Sequence, residues 1–158
     1  MDDLFRRYSA SVFRRARAIL GDGDAAKDAT QEVFLRAMNA QAEFAAVRSP
    51  IAWLYRVTTN LCLTRIRDAE RRGVLLRQSQ PAAVRAPESP IDVSLTVRAL
   101  LRDVPDDLQE IAVCYFVDRM SQDEIADLVG LPRRTVSYRL QQFITLARNR
   151  TNRGDLAS

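Results

Sequence analysis

The sequence contains no histidine and only two cysteines, Cys62 and Cys114. Without histidine, the chain lacks the side chain that most often serves as a general base near neutral pH. The two cysteines form no CxxC or HxxxC spacing of the kind that holds zinc. Each stands among apolar neighbours, which predicts reduced thiols inside a helical core. The composition therefore favours a protein that is not an enzyme and that needs no cofactor or metal.

Long hydrophobic runs are also missing. No segment approaches the roughly 20 apolar residues that a helix needs to cross a bilayer. The first residues, Met1-Asp2-Asp3-Leu4, are acidic and do not resemble a signal peptide. Hydrophobic residues make up 47% and charged residues 28% of the 158 positions, as in globular proteins. These features predict a cytoplasmic protein with no membrane insertion.

Lysine is nearly absent, because 23 of the 24 basic residues are arginine and Lys27 is the exception. Arginine is suited to bidentate contacts with phosphate and guanine. Residues 93–127 carry three arginines and eight acids, a net charge of −5. Residues 128–158 carry six arginines and one acid, a net charge of +5. This sharp change of sign indicates that the end of the chain meets a polyanion.

Helical spacing of apolar residues fills most of the chain, and strand-like alternation is not found. In the first half, the spacing predicts helices over about 3–20, from a cap at Asp24 to about Asn39, and from Ser49-Pro50 to about Arg72. A loop is expected over Ala40–Arg48. In the second helix, Ala26, Ala29, Val33 and Ala37 are expected to face inward.

The helical pattern disappears at Gly73, prolines follow at positions 81, 87 and 90, and the pattern resumes at about Leu95. It then runs to Val104, and Asp106 or Asp107 is expected to cap the next helix, with Tyr115 on its inward side. The predicted fold is all-α, with two small helical domains on a tether. The predicted division is residues 1–72, a flexible linker at 73–91, and a second domain at 92–158.

The end of the chain has the pattern of a helix-turn-helix. Ser121 and Glu124 form a capping box that opens a short helix. Gly130 supplies a turn with positive φ, and Pro132 favours a new helix start. The last helix is expected to bury Val136 and its apolar neighbours. Its opposite side presents Arg133, Arg134, Ser137, Tyr138 and Gln141, which favours entry into a DNA major groove over an ordinary helical hairpin with a solvated arginine face.

Two further stripes lie on the predicted helices of the first half. Positions 28, 31, 32, 35, 36 and 39 fall at helical offsets and make one polar stripe that contains a leucine, which is either a solvated face or a protein-docking surface. Positions 56, 60, 64, 67 and 71 make a basic ridge that could follow a phosphate backbone. Trp53 and Tyr55 are candidates for base stacking, although core packing is favoured for Trp53.

Three sets of residues resemble the extracytoplasmic-function sigma factors of the sigma-70 family. The segment Asp28–Ala37 resembles the family's helix that binds the polymerase clamp, and Pro50–Val57 with Asn60 and Arg65–Arg67 resembles its minus-ten recognition helix. Residues 104–110, 120–126 and 132–140 resemble its region that binds the minus-thirty-five element. The chain departs from the family pattern at Thr64, where aspartate is usual, at Arg134, where glycine is usual, and at Ser137, where a basic residue is usual.

The resemblance implies a protein that binds core RNA polymerase, directs it to promoter DNA and helps to open it, and that has an anti-sigma factor as a further partner. The implied polymerase-binding residues are Asp28, Gln31, Glu32, Leu35, Arg36 and Asn39. The implied minus-ten residues are Phe44, Arg56, Asn60, Arg67 and Arg71, with Phe44 in a loop that holds an extruded base. The implied minus-thirty-five residues are Arg133, Arg134, Thr135, Ser137, Tyr138 and Arg139.

Two other functions remain as alternatives at this point. A stand-alone transcription regulator could carry the same helix-turn-helix behind a sensing or dimerising N-terminal half. A serine recombinase could carry it too, but this enzyme needs an α/β catalytic domain, and residues 1–72 show no strand pattern. Binding to core polymerase, without operator binding in isolation, would separate a sigma factor from a stand-alone regulator.

Overall fold

The computed structural model describes residues 1–77, 100–101 and 104–156. These residues form helices joined by short connections, and no strand occurs among them. The predicted all-α fold is therefore confirmed. The helices are α1 (Asp2–Leu20), α2 (Gly23–Asn39), α3 (Gln41–Ala46), α4 (Pro50–Arg77), α5 (Asp106–Ala112), α6 (Gln122–Val129) and α7 (Arg133–Leu156), and a π-helical turn at Val113–Val117 follows α5.

Helices α1, α2 and α4 pack together and form the first half of the molecule. The side of α2 that faces this bundle is built from small residues, which allow the helix backbones to approach closely. The four side chains expected to face inward from α2 are all fully buried, namely Ala26, Ala29, Val33 and Ala37. The helical phase deduced for α2 is thus confirmed.

The boundaries of these helices differ from the predicted ones in three places. Asp22, rather than Asp24, caps α2, and its carboxylate accepts a hydrogen bond of 2.8 Å from the backbone N–H of Ala25. The predicted loop over Ala40–Arg48 contains the short helix α3. Helix α4 continues past Arg72 to Arg77, so the first five residues of the predicted linker are helical, and residues 78–91 lie outside the described residues.

Helix α5 begins at Asp106 after Pro105, and no side chain caps its first turn. The expected cap by Asp106 or Asp107 is therefore wrong; both carboxylates lie in the first turn, where they interact favourably with the helix dipole. Tyr115, expected to point inward, is exposed, because it lies in the π-helical turn, where the α-helical phase no longer holds. Of the helix predicted over residues 95–104, only residues 100, 101 and 104 are described.

Helices α6 and α7 form the helix-turn-helix that the sequence predicts. Ser121 and Glu124 make both hydrogen bonds of the capping box. Gly130 ends α6 with φ of 70°, in the left-handed region that favours glycine. Ile125, Val136 and Leu140 are buried in a small second core together with Ile111 and Cys114. This core holds α7 against α6 and leaves the opposite side of α7 in solvent.

The two halves of the chain pack against each other. Buried side chains of α1, α2 and α4 belong to one hydrophobic cluster with Leu101, Val104, Leu108, Val113 and Phe143 from the second half. Helix α1 touches the π-helical turn, and α4 touches α6. Helix α6, the first helix of the helix-turn-helix, therefore lies beside the basic ridge of α4.

Candidate nucleic-acid and protein-docking surfaces

The polar stripe on α2 lies on the side of the helix that points away from the bundle. We refer to it below as the docking stripe. Among the large apolar side chains described for residues 1–73, Leu35 is the most exposed, with 57% of its surface accessible. Arg36 donates a hydrogen bond of 2.6 Å to Glu32 one turn earlier. The stripe brings together Asp28, Gln31, Glu32, Leu35, Arg36 and Asn39 on this side, all exposed except Glu32, which is half-buried.

Arg65 of α4 contacts the two carboxylates of the docking stripe. Its guanidinium donates hydrogen bonds of 2.9 Å to Asp28 and 2.7 Å to Glu32. The hydrogen bonds from Arg36 and Arg65 lower the pKa of Glu32. Sequence reasoning placed Arg65 on the minus-ten helix and missed this contact, because the register of α4 against α2 is a tertiary feature. The stripe is thus a charged surface with one apolar side chain, and hydrogen bonds from Arg36 and Arg65 hold its carboxylates in place.

The basic ridge on α4 is accessible to solvent. Arg56, Asn60 and Arg71 are exposed, and Arg67 is half-buried. Residues four apart lie on one side of a helix, so the ridge runs along α4. It lies on a different side of α4 from Arg65. The structure therefore keeps the docking stripe and the ridge as separate surfaces.

Phe44 and Trp53 form an aromatic pair at the start of α4. Their rings meet edge to face, with centroids 5.2 Å apart. Trp53 is buried, as favoured from its sequence position, and is not a free stacking platform. Phe44 is half-buried against the core. Its expected place in an irregular loop is wrong, because it belongs to α3, although part of its ring still reaches the surface.

The outer side of α7 carries the groove-entering residues predicted for the helix-turn-helix. Tyr138 is 64% exposed. Arg133 and Arg134 are exposed at the first turn, and Thr135 and Ser137 are half-buried beside them. Arg133 lies 3.5 Å from Asp123, which is itself exposed and holds it only weakly. Arginines at this position can reach both base edges and phosphates.

Arg139 has a different environment from the other two arginines. Its side chain is largely covered, and its Nε lies 3.7 Å from the carboxylate of Asp107 on α5. It points toward the first turn of α5 rather than toward the outer side of α7. Of the three arginines predicted to bind the minus-thirty-five element, Arg139 is therefore the least available.

A buried arginine joins the two halves of the chain. Arg15 of α1 has no accessible surface. Its guanidinium donates hydrogen bonds to Glu110 (2.7 Å) and Thr59 (3.0 Å) and a further one to Asp118. The guanidinium also lies over the Tyr55 ring, 4.0 Å from its centre. We call Arg15 and these partners, together with Cys114, the Arg15 cage. Sequence reasoning missed it, because an arginine next to an apolar stripe normally extends into solvent.

Both cysteines are fully buried, as predicted. Burial raises the pKa of each thiol to about 12. The surroundings of Cys114 are not purely apolar, since its sulfur lies 3.1 Å from the guanidinium of Arg15 and 3.7 Å from Glu110. Both thiols are therefore protonated and shielded near neutral pH.

A cavity of about 640 Å³ opens between the two halves. One wall is formed by Arg48, Trp53, Arg56 and Asn60 of the first half. The other wall includes four carboxylates from the second half, those of Asp106, Asp107, Glu110 and Asp127. The wall from the second half also includes Arg139, so it carries both signs of charge with an excess of carboxylates, and it faces two arginines of the first half.

The helices in the described part of the chain include none that is long and apolar enough to span a membrane. This finding agrees with the low hydrophobicity of the sequence.

Comparison with known proteins identifies the class of the first half. Residues 4–72 match the model of sigma-70 region 2. This range covers α1 to α4 up to the predicted end of the first domain, and it includes the docking stripe and the ridge. The class that this match indicates for the first half is that of sigma factors of the sigma-70 type.

The similarity extends over both halves in two relatives. The ECF RNA polymerase sigma factor SigW of Bacillus subtilis is 30% identical over 154 residues, covering 89% of this chain and 82% of that protein. The ECF RNA polymerase sigma factor SigM of Mycobacterium tuberculosis is 27% identical over 139 residues, covering 87% and 70%. The chain belongs to the ECF RNA polymerase sigma factors, and the resemblance seen in the sequence is confirmed.

A solved structure has the same fold. It is the sigma factor RpoE in complex with the anti-sigma factor NepR from Bartonella quintana, with a TM-score of 0.50, 18% identity and 94% of each chain covered. At this level of identity the likeness concerns the arrangement of helices alone.

Proposed function

We propose that this sigma factor binds core RNA polymerase through the docking stripe, directs it to promoters and helps to separate the DNA strands. The observation that carries the proposal is the separation of three surfaces on one chain. All three surfaces are accessible; the docking stripe carries carboxylates around an exposed leucine, whereas the ridge of α4 and the outer side of α7 are rich in arginine. A protein that must hold a polymerase and two promoter elements at once needs such a division.

The docking stripe suits a protein partner better than DNA. It contains carboxylates from Asp28 and Glu32, which would repel phosphates, and the exposed Leu35 at its centre. Exposed apolar side chains ringed by charged groups are typical of protein interfaces. Because Arg65 holds the two carboxylates in place, the stripe loses little conformational freedom on binding.

The outer side of α7 suits the minus-thirty-five duplex. Arg133 and Arg134 enter the major groove first, and Tyr138 follows one turn later, in the usual orientation of a recognition helix. The ridge of α4 suits the minus-ten strand, because Arg56, Arg67 and Arg71 can follow its phosphates. Extruding a base costs a few kcal/mol, which contacts to the phosphates and to the freed base offset. Phe44, which is half-buried beside the start of α4, is assigned to contact that base.

In this proposal residues 1–72 form the domain for polymerase and the minus-ten element, and residues 92–158 the domain for the minus-thirty-five element. Residues 73–91 connect them across the promoter spacer. The protein works in the cytoplasm, where its polymerase is, and contributes no catalytic group, since the polymerase makes the new bonds. The RpoE complex with NepR supports an anti-sigma factor as a further partner.

Transcription by purified core RNA polymerase tests the proposal. Core enzyme with added protein should initiate on a subset of fragments in a genomic DNA library, and core enzyme alone should not. A variant with Arg133→Ala and Arg134→Ala should still bind the polymerase but lose promoter selection. If the protein never associates with core polymerase yet binds operator DNA alone, it is a stand-alone regulator and the proposal is wrong.

A further inference from the structure

A second cavity, of about 660 Å³, lies where the start of α1 meets α3 and the start of α4. We call it the α1 cavity. Its size falls within the range of about 300–1,000 Å³ that is usual for sites of small ligands. The proposed function uses only one of its lining residues, Phe44. The others include Asp3, Arg6, Arg7, Tyr8 and Pro50.

The α1 cavity combines aromatic rings with arginines. Tyr8 and Phe44 are half-buried, so both retain accessible surface. Arg6 and Arg7 are exposed, and the guanidinium of Arg7 lies 5.5 Å from the centre of the Tyr8 ring. Aromatic rings that stack on bases, next to cations that hold the backbone, are the usual components of a site for single-stranded nucleic acid. This chemistry fits one nucleotide, a flat base with its phosphate.

Two further lining residues favour one orientation of that nucleotide. Pro50 is the first residue of α4, and the positive end of the helix dipole lies there, which favours an anion. Asp3 would repel a phosphate, but its carboxylate can accept a hydrogen bond from the exocyclic amine of a base. The phosphate is therefore expected at the arginines, and the base at the rings and Asp3.

The α1 cavity lies next to the end of the ridge of α4. Trp53 lines the cavity between the halves together with Arg56 and Asn60, the first residues of the ridge. The Trp53 ring also meets the ring of Phe44, with centroids 5.2 Å apart, and Phe44 lines the α1 cavity. A strand whose phosphates follow the ridge toward Pro50 can therefore pass Phe44 and place its next nucleotide at the start of α1.

We propose that the α1 cavity is a nucleotide site, in which Arg6 and Arg7 hold a phosphate and Tyr8 stacks on the base. The nucleotide belongs to the single strand that the ridge carries, and it is a neighbour of the base that Phe44 contacts. The inference rests on the proposed minus-ten role of the first half, and it adds the start of α1 to the surface that binds DNA. A free mononucleotide has the same chemistry, and the experiments distinguish the two sources.

Photochemical cross-linking locates the base. The full chain is bound to core RNA polymerase and mixed with a pool of single-stranded DNA of randomised sequence, in which 5-iodouracil replaces thymine. Irradiation joins this base to aromatic side chains that contact it, and mass spectrometry identifies the linked residue after digestion with trypsin. Because trypsin cuts after arginine, Tyr8 falls in the peptide 8–14 and Phe44 in the peptide 37–48. A cross-link at Tyr8 is expected beside cross-links in α3 or α4.

Two double variants test the arginines. Arg6→Ala with Arg7→Ala should lower the yield at Tyr8, relative to the yield in α4, by about tenfold or more, because two phosphate contacts are lost. The control, Arg14→Ala with Arg17→Ala, removes the same charge from exposed positions on the same side of α1, about 10 and 16 Å farther along the helix. It should leave the yield unchanged. Both variants alter exposed side chains, so their helix content in circular dichroism should match that of the parent.

Equilibrium dialysis with radiolabelled deoxycytidine monophosphate distinguishes the strand from a free nucleotide. Cytosine carries an exocyclic amine that Asp3 can accept a hydrogen bond from. We expect no retention of the free nucleotide, because it lacks the phosphate contacts that a strand makes along the ridge. Retention by the parent that disappears in the Arg6→Ala, Arg7→Ala variant would support the site and identify a free nucleotide as its ligand.

The outcomes separate the inference from the proposed function. Cross-links in α3 or α4 without one at Tyr8, together with no retention of the free nucleotide, would overturn the inference and leave the minus-ten role of α4 intact. Equal yields at Tyr8 in the two double variants would also refute it, because the site requires Arg6 and Arg7. The absence of cross-links from the whole first half would contradict the minus-ten role, and the inference with it. Transcription with core polymerase is measured separately and reports on sigma-factor function in either case.

Discussion

The triple substitution Gln31→Ala, Leu35→Ala and Arg36→Ala separates docking from folding. Full burial of a leucine is worth about 1.5–3 kcal/mol, and Leu35 is 57% exposed, so its truncation removes about 1 kcal/mol. Losing the surface pair between Arg36 and Glu32 costs about 0.3–0.5 kcal/mol. Alanine is the better helix former and returns a few tenths of a kcal/mol at each position. We expect the free energy of unfolding to fall by about 1 kcal/mol or less.

The effect on polymerase binding should be much larger. Truncation of an interface anchor costs about 2 kcal/mol or more. At about 1.4 kcal/mol per factor of ten, one anchor corresponds to roughly a thirtyfold loss of affinity. The variant should therefore melt almost like the parent in circular dichroism but fail to co-purify with tagged core RNA polymerase.

A matched control is available on α7. Gln142→Ala, Leu146→Ala and Arg148→Ala remove the same three residue types from exposed positions. This variant should retain co-purification with the core enzyme. If the stripe variant unfolds, the side of α2 facing solvent has been assigned wrongly. If it folds and binds polymerase like the control, the docking surface lies elsewhere on the chain.

Three further predictions concern the second half and the thiols. If Arg134 reads a base, Arg134→Ala should weaken binding to the minus-thirty-five duplex by about 1–3 kcal/mol. Arg139→Ala should have a smaller effect, because Asp107 holds that side chain. Unchanged transcription of the Arg134→Ala protein from every minus-thirty-five variant would contradict the role of Arg134. Gly130→Ala should lower the free energy of unfolding in urea by about 1–2 kcal/mol, because φ of 70° strains a residue with a Cβ; equal stability would show that the turn rearranges. The double variant Cys62→Ala with Cys114→Ala should transcribe as the parent does in the presence of mild oxidant, since both thiols have a pKa near 12. If the parent is inhibited by oxidant and the double variant is not, the cysteines form a redox switch.

The parts of the structure that the sequence predicted depend on local chemistry. The capping box at Ser121 and the turn at Gly130 each require particular residue types within a few positions, and both occur as expected. The inward face of α2 follows from the 3.6-residue period and the spacing of small residues. The same periodicity predicted that the stripe and the ridge lie outside the core, and most of their side chains are exposed.

The parts that were missed depend on choices between near-equivalent residues or on contacts across the chain. Asp22 and Asp24 can both cap a helix, and the sequence does not distinguish them; in the structure Gly21 ends α1 and Asp22 caps α2 directly after it. Helix α3 is too short to show a period. The burial of Arg15 follows from partners in the second half, about a hundred positions away, which no local pattern reveals.

The π-helical turn at Val113–Val117 affects how this segment can change by insertion and deletion. Glu110, Cys114 and Asp118 follow one another at steps of four, and an α-helix overshoots a full turn by about 40° at each such step. The wider turn, closed by a 3.0 Å bond from Asp118 N–H to Val113 C=O, accommodates part of that overshoot, so all three side chains meet one guanidinium. Deleting one residue between Val113 and Asp118 would turn the bond between the Asp118 N–H and the Val113 C=O into an ordinary α-helical bond, and Asp118 would keep roughly its present direction. A relative one residue shorter in this segment should therefore have a regular α-helix here and retain this ion pair.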